Sequence, residues 1–282
     1  MALTVIKGTF HVVGYSPDGD SIRFKADDTT HWDQLAGRKI RLNGKSHAQL
    51  RIEAIDTLET HYQGQHQPLK YADAATKKLF SLLGITNVVW NSTHSRIVSA
   101  NDGVDGYIMS RLVERNGRPV SYVFPASLGF KDGDSVFLDR DIVKQSINFK
   151  MLSGGLAYPT FYDGLFYDLR ALFAKEAGKA RKGGRGVWSD DKTNKFINID
   201  GIDAVVDRYV LLPKLFRRIV TYLRENNGHF DGKGFIASLR EHPEPVLILS
   251  RLHFTHLDNL IGVNEAGKIK LTEKPENLVF LG

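Results

Sequence analysis

The chain has 282 residues, a formal net charge of +6 and no cysteine. The missing cysteine excludes disulfides, thiolate metal sites and a thiol nucleophile, and the basic excess favours a polyanionic partner such as nucleic acid. The N-terminal residues alternate as in a strand and include Lys7, so they predict no signal peptide. Because no apolar run reaches membrane-spanning length, we expect a cytoplasmic protein without membrane contact.

The first 60 residues predict a meander of short strands. Strand-like alternation occurs in TVIKGTFHVVGY and DSIRFKA, which the turn SPDGD separates, and again in LRIEAI. Apolar residues then recur at helical spacing in QPLKYADAATKKLFSLLG, where Gly84 is expected to end the helix. Further strands are predicted over NVVWNS, GYIMSRLVER and SYVF.

Two more helices are predicted before residue 185. One covers VKQSINFKMLSGG, and the other covers LFYDLRALFAKEAGKARKGG, whose C-terminal end is basic. The basic residues of that end are interpreted either as contacts to a phosphate backbone or as a solvated helix face: Lys175, Lys179, Arg181, Lys182 and Arg185.

The sequence pattern changes after about residue 195, and a small α+β domain of unknown role is predicted for 195–282. LLPKLFRRIVTYLREN is an amphipathic helix and GKGFIASLREH a short second helix. Strands are predicted over PVLILSRLHFTHL, LIGVN, KIKLT and NLVFL. The whole chain is therefore expected to have an α+β fold.

An arginine interrupts the strand in AQLRIEAIDTLETHY, residues 48–62. Since alternate side chains of a strand share a face, Leu50, Ile52 and Ala54 can face a core while Arg51 points away. An arginine in this position can hold a phosphate group.

Carboxylates follow this strand in a loop. Asp56, Glu59 and the Thr57 carbonyl offer the hard oxygen ligands that suit Ca²⁺ or Mg²⁺, and Asp18 and Asp20 add more if the strand ends meet. An arginine, a cation site and a carboxylate that activates water are the parts that a phosphodiesterase needs.

A structural interpretation of the same residues stays open. The DGD sequence is then a hairpin turn, Arg51 and Glu59 form a surface ion pair, and Asp56 caps the loop.

Five short motifs in order resemble the staphylococcal nuclease (thermonuclease) family over roughly residues 4–191: DGDS, R-x4-DT-x-E, the helix QPLKYADAATKKLFSLL, N-x6-GLA and EAGKARKGGRGVWSDD. The resemblance implies an OB-type five-stranded β-barrel with packed helices in a domain at 1–191, with an insertion at about 115–145. It also implies Ca²⁺-dependent cleavage of DNA and RNA, with Mg²⁺ or Mn²⁺ as alternative cations.

The resemblance also assigns roles to residues. Asp20 and Asp56 would be the metal-ligand carboxylates, with the Thr57 carbonyl beside them. Glu59 would be the general base, and Arg51 would hold the phosphate and stabilise its developing charge.

The sequence departs from the family pattern at two places. Leu58 replaces the usual proline, and Asp105 stands where a second arginine is expected; Arg111 on the same strand is a candidate substitute, with Arg115 and Arg118 as others. Three functions are therefore weighed: a Ca²⁺-dependent nuclease hydrolysing DNA, RNA or both; a catalytically impaired protein that still binds nucleic acid; and an interaction protein that acts through its C-terminal domain.

Overall fold

A computed structural model describes residues 2–281, which form an α+β fold. The helices predicted around Gly84, at the basic segment and after residue 211 are confirmed within a few residues of their predicted ends. The helices are α1 Leu69–Leu83, α2 Arg140–Gln145, α3 Ile147–Ser153, α4 Tyr167–Lys182, α5 Pro213–Glu225 and α6 Gly232–Glu241.

Most strands of the described chain are short. They are β1 Leu3–His11, β2 Arg23–Ala26, β3 Ala36–Gly37, β4 Ala48–Gln49, β5 Arg51–Ile52, β6 Ile55–Asp56, β7 Val89–Trp90, β8 Ile97–Ser99, β9 Val104–Val113, β10 Pro119–Pro125, β11 Ser135–Val136, β12 Tyr158–Pro159, β13 Phe161–Tyr162, β14 Pro245–Ile248, β15 His253–His256, β16 Ile261–Val263, β17 Ile269–Leu271 and β18 Leu278–Phe280.

Spatial contacts divide the chain into two units. Unit 1 comprises residues 1–53 and 76–151, and unit 2 comprises 54–75 and 152–282. The domain at 1–191, which the resemblance implies, and the domain at 195–282, which the change in sequence pattern indicates, both stay predictions.

The main sheet of unit 1 is nearly closed into a barrel. Its strand order is β4-β2-β1-β9-β10-β5, with β3 beside β9 and β11 beside β1. The two ends of this path, β4 and β5, are separated in sequence only by Leu50, whose N–H donates to the Ile22 carbonyl at 2.9 Å. One short segment therefore supplies both the first and the last strand of the path.

Two glycines allow close packing at the centre of this sheet. Gly8 on β1 lies opposite Gly106 on β9. A Cβ on Gly8 would lie 2.1 Å from the Lys25 carbonyl oxygen, and one on Gly106 would lie 2.4 Å from the Phe10 ring. Side chains larger than hydrogen are therefore excluded where these strands meet.

Asn148 ties α3 to the barrel of unit 1. Its Oδ1 accepts from the Val123 N–H at 2.9 Å, and its Nδ2 donates to the carbonyls of Glu53 at 2.9 Å and Ser121 at 3.0 Å. The side chain is fully buried. The asparagine of the N-x6-GLA motif thus satisfies buried backbone groups, which would otherwise carry a desolvation cost.

Three elements differ from prediction. The helix predicted over VKQSINFKMLSGG is two helices, because Ser146 is extended at φ −64°, ψ 152°. The strand predicted over LRIEAI breaks at Ala54, whose φ of 70° is left-handed and turns the chain between β5 and β6. The strand predicted over PVLILSRLHFTHL is the hairpin of β14 and β15.

Unit 2 is built around the apolar face of α5. Leu215, Phe216, Ile219 and Leu223 of this helix are buried in the core cluster of the unit. Its largest sheet has the order β13-β18-β14-β15, and β6 pairs with β12. Among the helices of residues 2–281, none combines the length and apolar character that crossing a membrane requires.

Candidate functional site

Arg51 and Asp20 both lie in unit 1. Arg51 begins β5 and is half-buried, while Leu50, Ile52 and Ala54 are buried as predicted. The Ile52 N–H donates to the Asp20 carbonyl at 3.2 Å, so the DGDS turn lies beside the residue that follows Arg51. The structure therefore brings these two predicted site segments together.

Asp105 and Arg111 lie on β9 of the same unit. Asp105 is exposed and pairs with Thr9 on β1. Between Ser110 and Val113, β9 contains a bulge, because Arg111 and Leu112 together lie opposite Val120 of β10. The prediction that Arg111 shares a face with Asp105 assumes strict alternation of side chains along β9, and the bulge breaks this alternation. A substitute role for Arg111 stays a prediction.

Asp56 and Glu59 lie in unit 2, and both carboxylates bind the guanidinium of Arg217. Arg217 Nη1 and Nη2 donate to Asp56 Oδ1 and Oδ2 at 3.1 and 2.7 Å, so this arginine–carboxylate pair is bidentate. Nη1 also donates to Glu59 Oε1. The side chains are 25% exposed for Arg217, 8% for Asp56 and 15% for Glu59, so this cluster is largely removed from water.

Buried groups fix the backbone between these two carboxylates. Thr57 and Leu58 are buried, and Leu58 packs in the core of unit 2 where the family pattern has proline. The Glu59 N–H donates to Gln67 Oε1 at 3.2 Å, and the Gln67 N–H donates to the Glu59 carbonyl at 2.8 Å. Gln67 is fully buried and donates from Nε2 to the Leu211 carbonyl at 2.8 Å, two residues before α5 begins.

One face of α5 binds residues 56–63 in order along the chain. Arg217 holds Asp56 and Glu59, the Thr221 and Tyr62 hydroxyls are 3.3 Å apart, and Arg224 Nη1 donates to Gln63 Oε1 at 2.7 Å. Residues four and three apart share a helix face. We call residues 56–63 the acidic loop. Its contacts with α5 follow the spacing of the helical turn.

The two carboxylates of this cluster determine the charge state of Arg217. Burial opposes the charge of Arg217, but Asp56 and then Glu59 outweigh it and raise the pKa of Arg217 well above its ordinary value. The arginine therefore remains cationic, and its fork is a geometry that lysine could not reproduce.

The same arrangement bears on the expected metal. The guanidinium of Arg217 already lies where a cation would meet Asp56 and Glu59, so these side chains as they stand do not fit Ca²⁺. Over residues 2–281, no three His, Asp or Glu side chains are grouped so as to hold a metal ion.

The basic end of α4 is partly committed to contacts within unit 2. Arg181 bonds Glu276 at 2.7 Å and Asn194 at 2.9 Å, and Lys179 bonds Glu176 at 3.0 Å. Arg185 donates to the Ser153 carbonyl at 3.0 Å. These contacts favour a structural role over phosphate binding for these three residues.

Arg217 is the residue that the sequence did not reveal. Its helix was predicted, and the pair RR at 217–218 was visible on the polar side of the apolar stripe. Its partners lie 158 and 161 positions earlier, and no local pattern links residues so far apart.

Comparison of the sequence with models of known families and with curated proteins gives no match.

Proposed function

We propose that unit 1 is an OB-type five-stranded barrel of the staphylococcal nuclease kind, in which β4 and β5 count as one interrupted strand beside β1, β2, β9 and β10. We further propose that the protein uses this barrel to bind DNA or RNA without hydrolysing the strand. The ion pairing of Arg217 with Asp56 and Glu59 is the observation that supports binding without hydrolysis. A general base must accept a proton from water, and a carboxylate held in a charge-assisted bond to arginine is a poorer acceptor.

Two further observations support binding without cleavage. Asp105 is exposed on β9 where the resemblance expects a second arginine, and a carboxylate repels a phosphate. Most of the excess positive charge of the chain lies in unit 1, whereas basic and acidic residues nearly balance in unit 2. Net positive charge attracts the phosphate backbone irrespective of sequence.

The nuclease remains the second candidate, for one specific reason. Asp56 and Glu59 converge on a single cationic group, as the carboxylates of a cation site do. If Arg217 left the acidic loop, these carboxylates would become available, and the chain would be a nuclease that its own helix holds inactive.

The test measures binding and cleavage separately. Labelled single-stranded DNA, single-stranded RNA and plasmid are incubated with the wild-type protein in Ca²⁺ and in chelator, and both complex formation and strand length are followed. We expect complexes and intact strands in both conditions. Ca²⁺-dependent cleavage by the wild type would contradict the proposal, and so would the absence of any complex.

Arg217→Gln distinguishes the two candidates. Ca²⁺-dependent cleavage by this variant, abolished in Arg217→Gln/Glu59→Gln, would establish the inhibited nuclease. Arg224→Gln is the matched control, since Arg224 lies on the same face of α5 and binds a neutral amide. If no variant cleaves nucleic acid, the inhibited nuclease is ruled out, and binding without cleavage is the function that remains.

A further inference from the structure

A polar pocket in unit 1 is lined by three arginines, and two of them have no carboxylate partner among residues 2–281. The pocket has a volume of about 520 Å³, and its lining residues come from β2, β4, the segment before β4 and the turn between β9 and β10: Arg23, Arg41, Leu42, Asn43, Gln49, Asn116 and Arg118. Apart from Arg118, which is one of the candidate substitutes for the second arginine, none of them belongs to the predicted catalytic set.

The three arginines of this pocket differ in their partners. Arg118 Nε donates to Glu114 Oε1 at 3.0 Å, and Asn116 Nδ2 donates to Glu114 Oε2 at 2.9 Å, so Glu114 balances Arg118. Within residues 2–281, neither Arg23 nor Arg41 forms an ion pair with a carboxylate. The positive charges of Arg23 and Arg41 are therefore not balanced by an ion pair within residues 2–281.

Like charges in this pocket repel each other. Burial lowers the pKa of Arg23, and the nearby Arg41 lowers it further, although Tyr15 acts in the opposite direction. The Arg23 guanidinium lies 5.1 Å from the centre of the Tyr15 ring, a cation–π contact. An anion between the two guanidiniums would relieve this repulsion.

The backbone holds both arginines in place. Arg23 is on β2, in register with Gln49 of β4. The Arg41 N–H donates to the Gly117 carbonyl at 2.8 Å, and a Cβ on Gly117 would lie 2.7 Å from Arg41 Cβ, so the β9–β10 turn packs directly on Arg41. Asn43 Nδ2 donates to the Tyr15 hydroxyl at 2.7 Å, which fixes the segment that follows.

We infer that this pocket binds a phosphate group through Arg23 and Arg41, which deepens the nucleic-acid binding proposed above and rests on it. Guanidinium groups bind phosphate oxygens through paired hydrogen bonds, and a pocket open to solvent admits one phosphate of a longer chain. The same chemistry would accept free orthophosphate, so the two sources need separate measurements.

The test compares Arg41→Gln with Arg140→Gln. Both arginines are exposed in unit 1, and both substitutions remove one charge, but only Arg41 lines the pocket. Affinity for a labelled single-stranded oligonucleotide is measured by fluorescence anisotropy over a series of salt concentrations. Melting temperatures verify that each variant is folded, and Arg23→Gln is measured in parallel.

We expect Arg41→Gln and Arg23→Gln each to weaken oligonucleotide binding about tenfold, as the loss of one charged hydrogen-bonding group does. The slope of log affinity against log salt should fall by about 0.7, the value for one phosphate contact on a single strand. Arg140→Gln should change neither quantity.

Different outcomes separate failure of the pocket from failure of the proposed function. Oligonucleotide binding that is unchanged in both pocket variants, or equally reduced in Arg140→Gln, would overturn the pocket and leave nucleic-acid binding intact. Orthophosphate binding, measured by calorimetry, that is lost in Arg41→Gln while the wild type binds no oligonucleotide would support the pocket and overturn the proposed function. If the wild type bound neither probe, both would be overturned.

Discussion

At the scale of single residues, His47 shows how packing controls a charge. Its Nδ1 lies 3.0 Å from the Tyr15 hydroxyl, and its ring stacks on His11 with centroids 4.0 Å apart. Burial lowers the pKa of His47 from 6.5 to about 4, helped by His11 and Lys45 and opposed by Asp102. The folded protein therefore keeps this imidazole neutral at neutral pH.

This pKa predicts how stability depends on pH. Because the unfolded chain binds a proton at His47 below pH 6.5 and the folded chain does so only below about 4, acid favours unfolding in this window. The His47 contribution to the free energy of unfolding should fall by up to about 1.4 kcal/mol per pH unit between these values. Urea unfolding at several pH values measures it.

Two histidine variants isolate this contribution. His47→Gln should flatten the pH dependence between 6.5 and 4, even if it lowers stability at pH 7. His94→Gln, at an exposed position, should leave the slope as in the wild type. A wild-type slope in His47→Gln would mean that another group titrates.

At the scale of elements, the contact between α5 and the acidic loop is the central feature of the candidate site. The helix offers Arg217, Thr221 and Arg224 on one face, and its apolar face is buried in the core of unit 2. Burial of the apolar face fixes the rotation of the helix, and this rotation determines which arginine faces the loop.

Arg217→Gln should lower the free energy of unfolding by about 2 kcal/mol, because it leaves two largely buried carboxylates without their cation. The cost is less than that of breaking a fully buried pair, since a quarter of the Arg217 side chain is exposed. Chemical denaturation at pH 7 provides the measurement.

A rescue variant separates charge from packing. Arg217→Gln/Asp56→Asn/Glu59→Gln removes the unpaired carboxylates and should recover part of the lost stability. Arg224→Gln should cost less than Arg217→Gln, because its partner Gln63 is neutral and exposed. If Arg217→Gln were as stable as the wild type, the ion pair would contribute nothing measurable.

At the scale of the whole molecule, ligand binding can be followed through stability. A cation that binds only the folded chain raises the melting temperature with its concentration. We expect millimolar Ca²⁺ to leave the wild type unchanged, because Arg217 already neutralises Asp56 and Glu59. In Arg217→Gln these carboxylates repel each other, so Ca²⁺ should raise the melting temperature.

The control for this experiment is Arg224→Gln in the same Ca²⁺ series. Its melting temperature should not depend on Ca²⁺, since the pairing of Arg217 with the acidic loop is intact in this variant. A Ca²⁺-dependent rise in the wild type would show that the cation competes successfully with Arg217 or binds elsewhere.

Much of the fold could be predicted because its signals are local. Helical periodicity and Gly84, which has a φ of 81°, define the end of α1, and α5 follows from its amphipathic pattern. Local signals failed where the backbone leaves regular strand or helix geometry at a residue whose type does not indicate the change. Ala54 is left-handed although glycine would be the usual choice, and Ser146 interrupts a run of good helix periodicity.

The candidate site divides in the same way. The sequence by itself determined that carboxylates follow an arginine-bearing strand, and that an amphipathic helix with two adjacent arginines occurs far downstream. Only the tertiary structure decided that Arg217 of this helix binds Asp56 and Glu59. The hydrogen bonds within a helix and the periodicity of its side chains act over a few residues and so leave a trace in the sequence. An ion pair across about 160 positions depends on how the buried core orients the helix, which no spacing records.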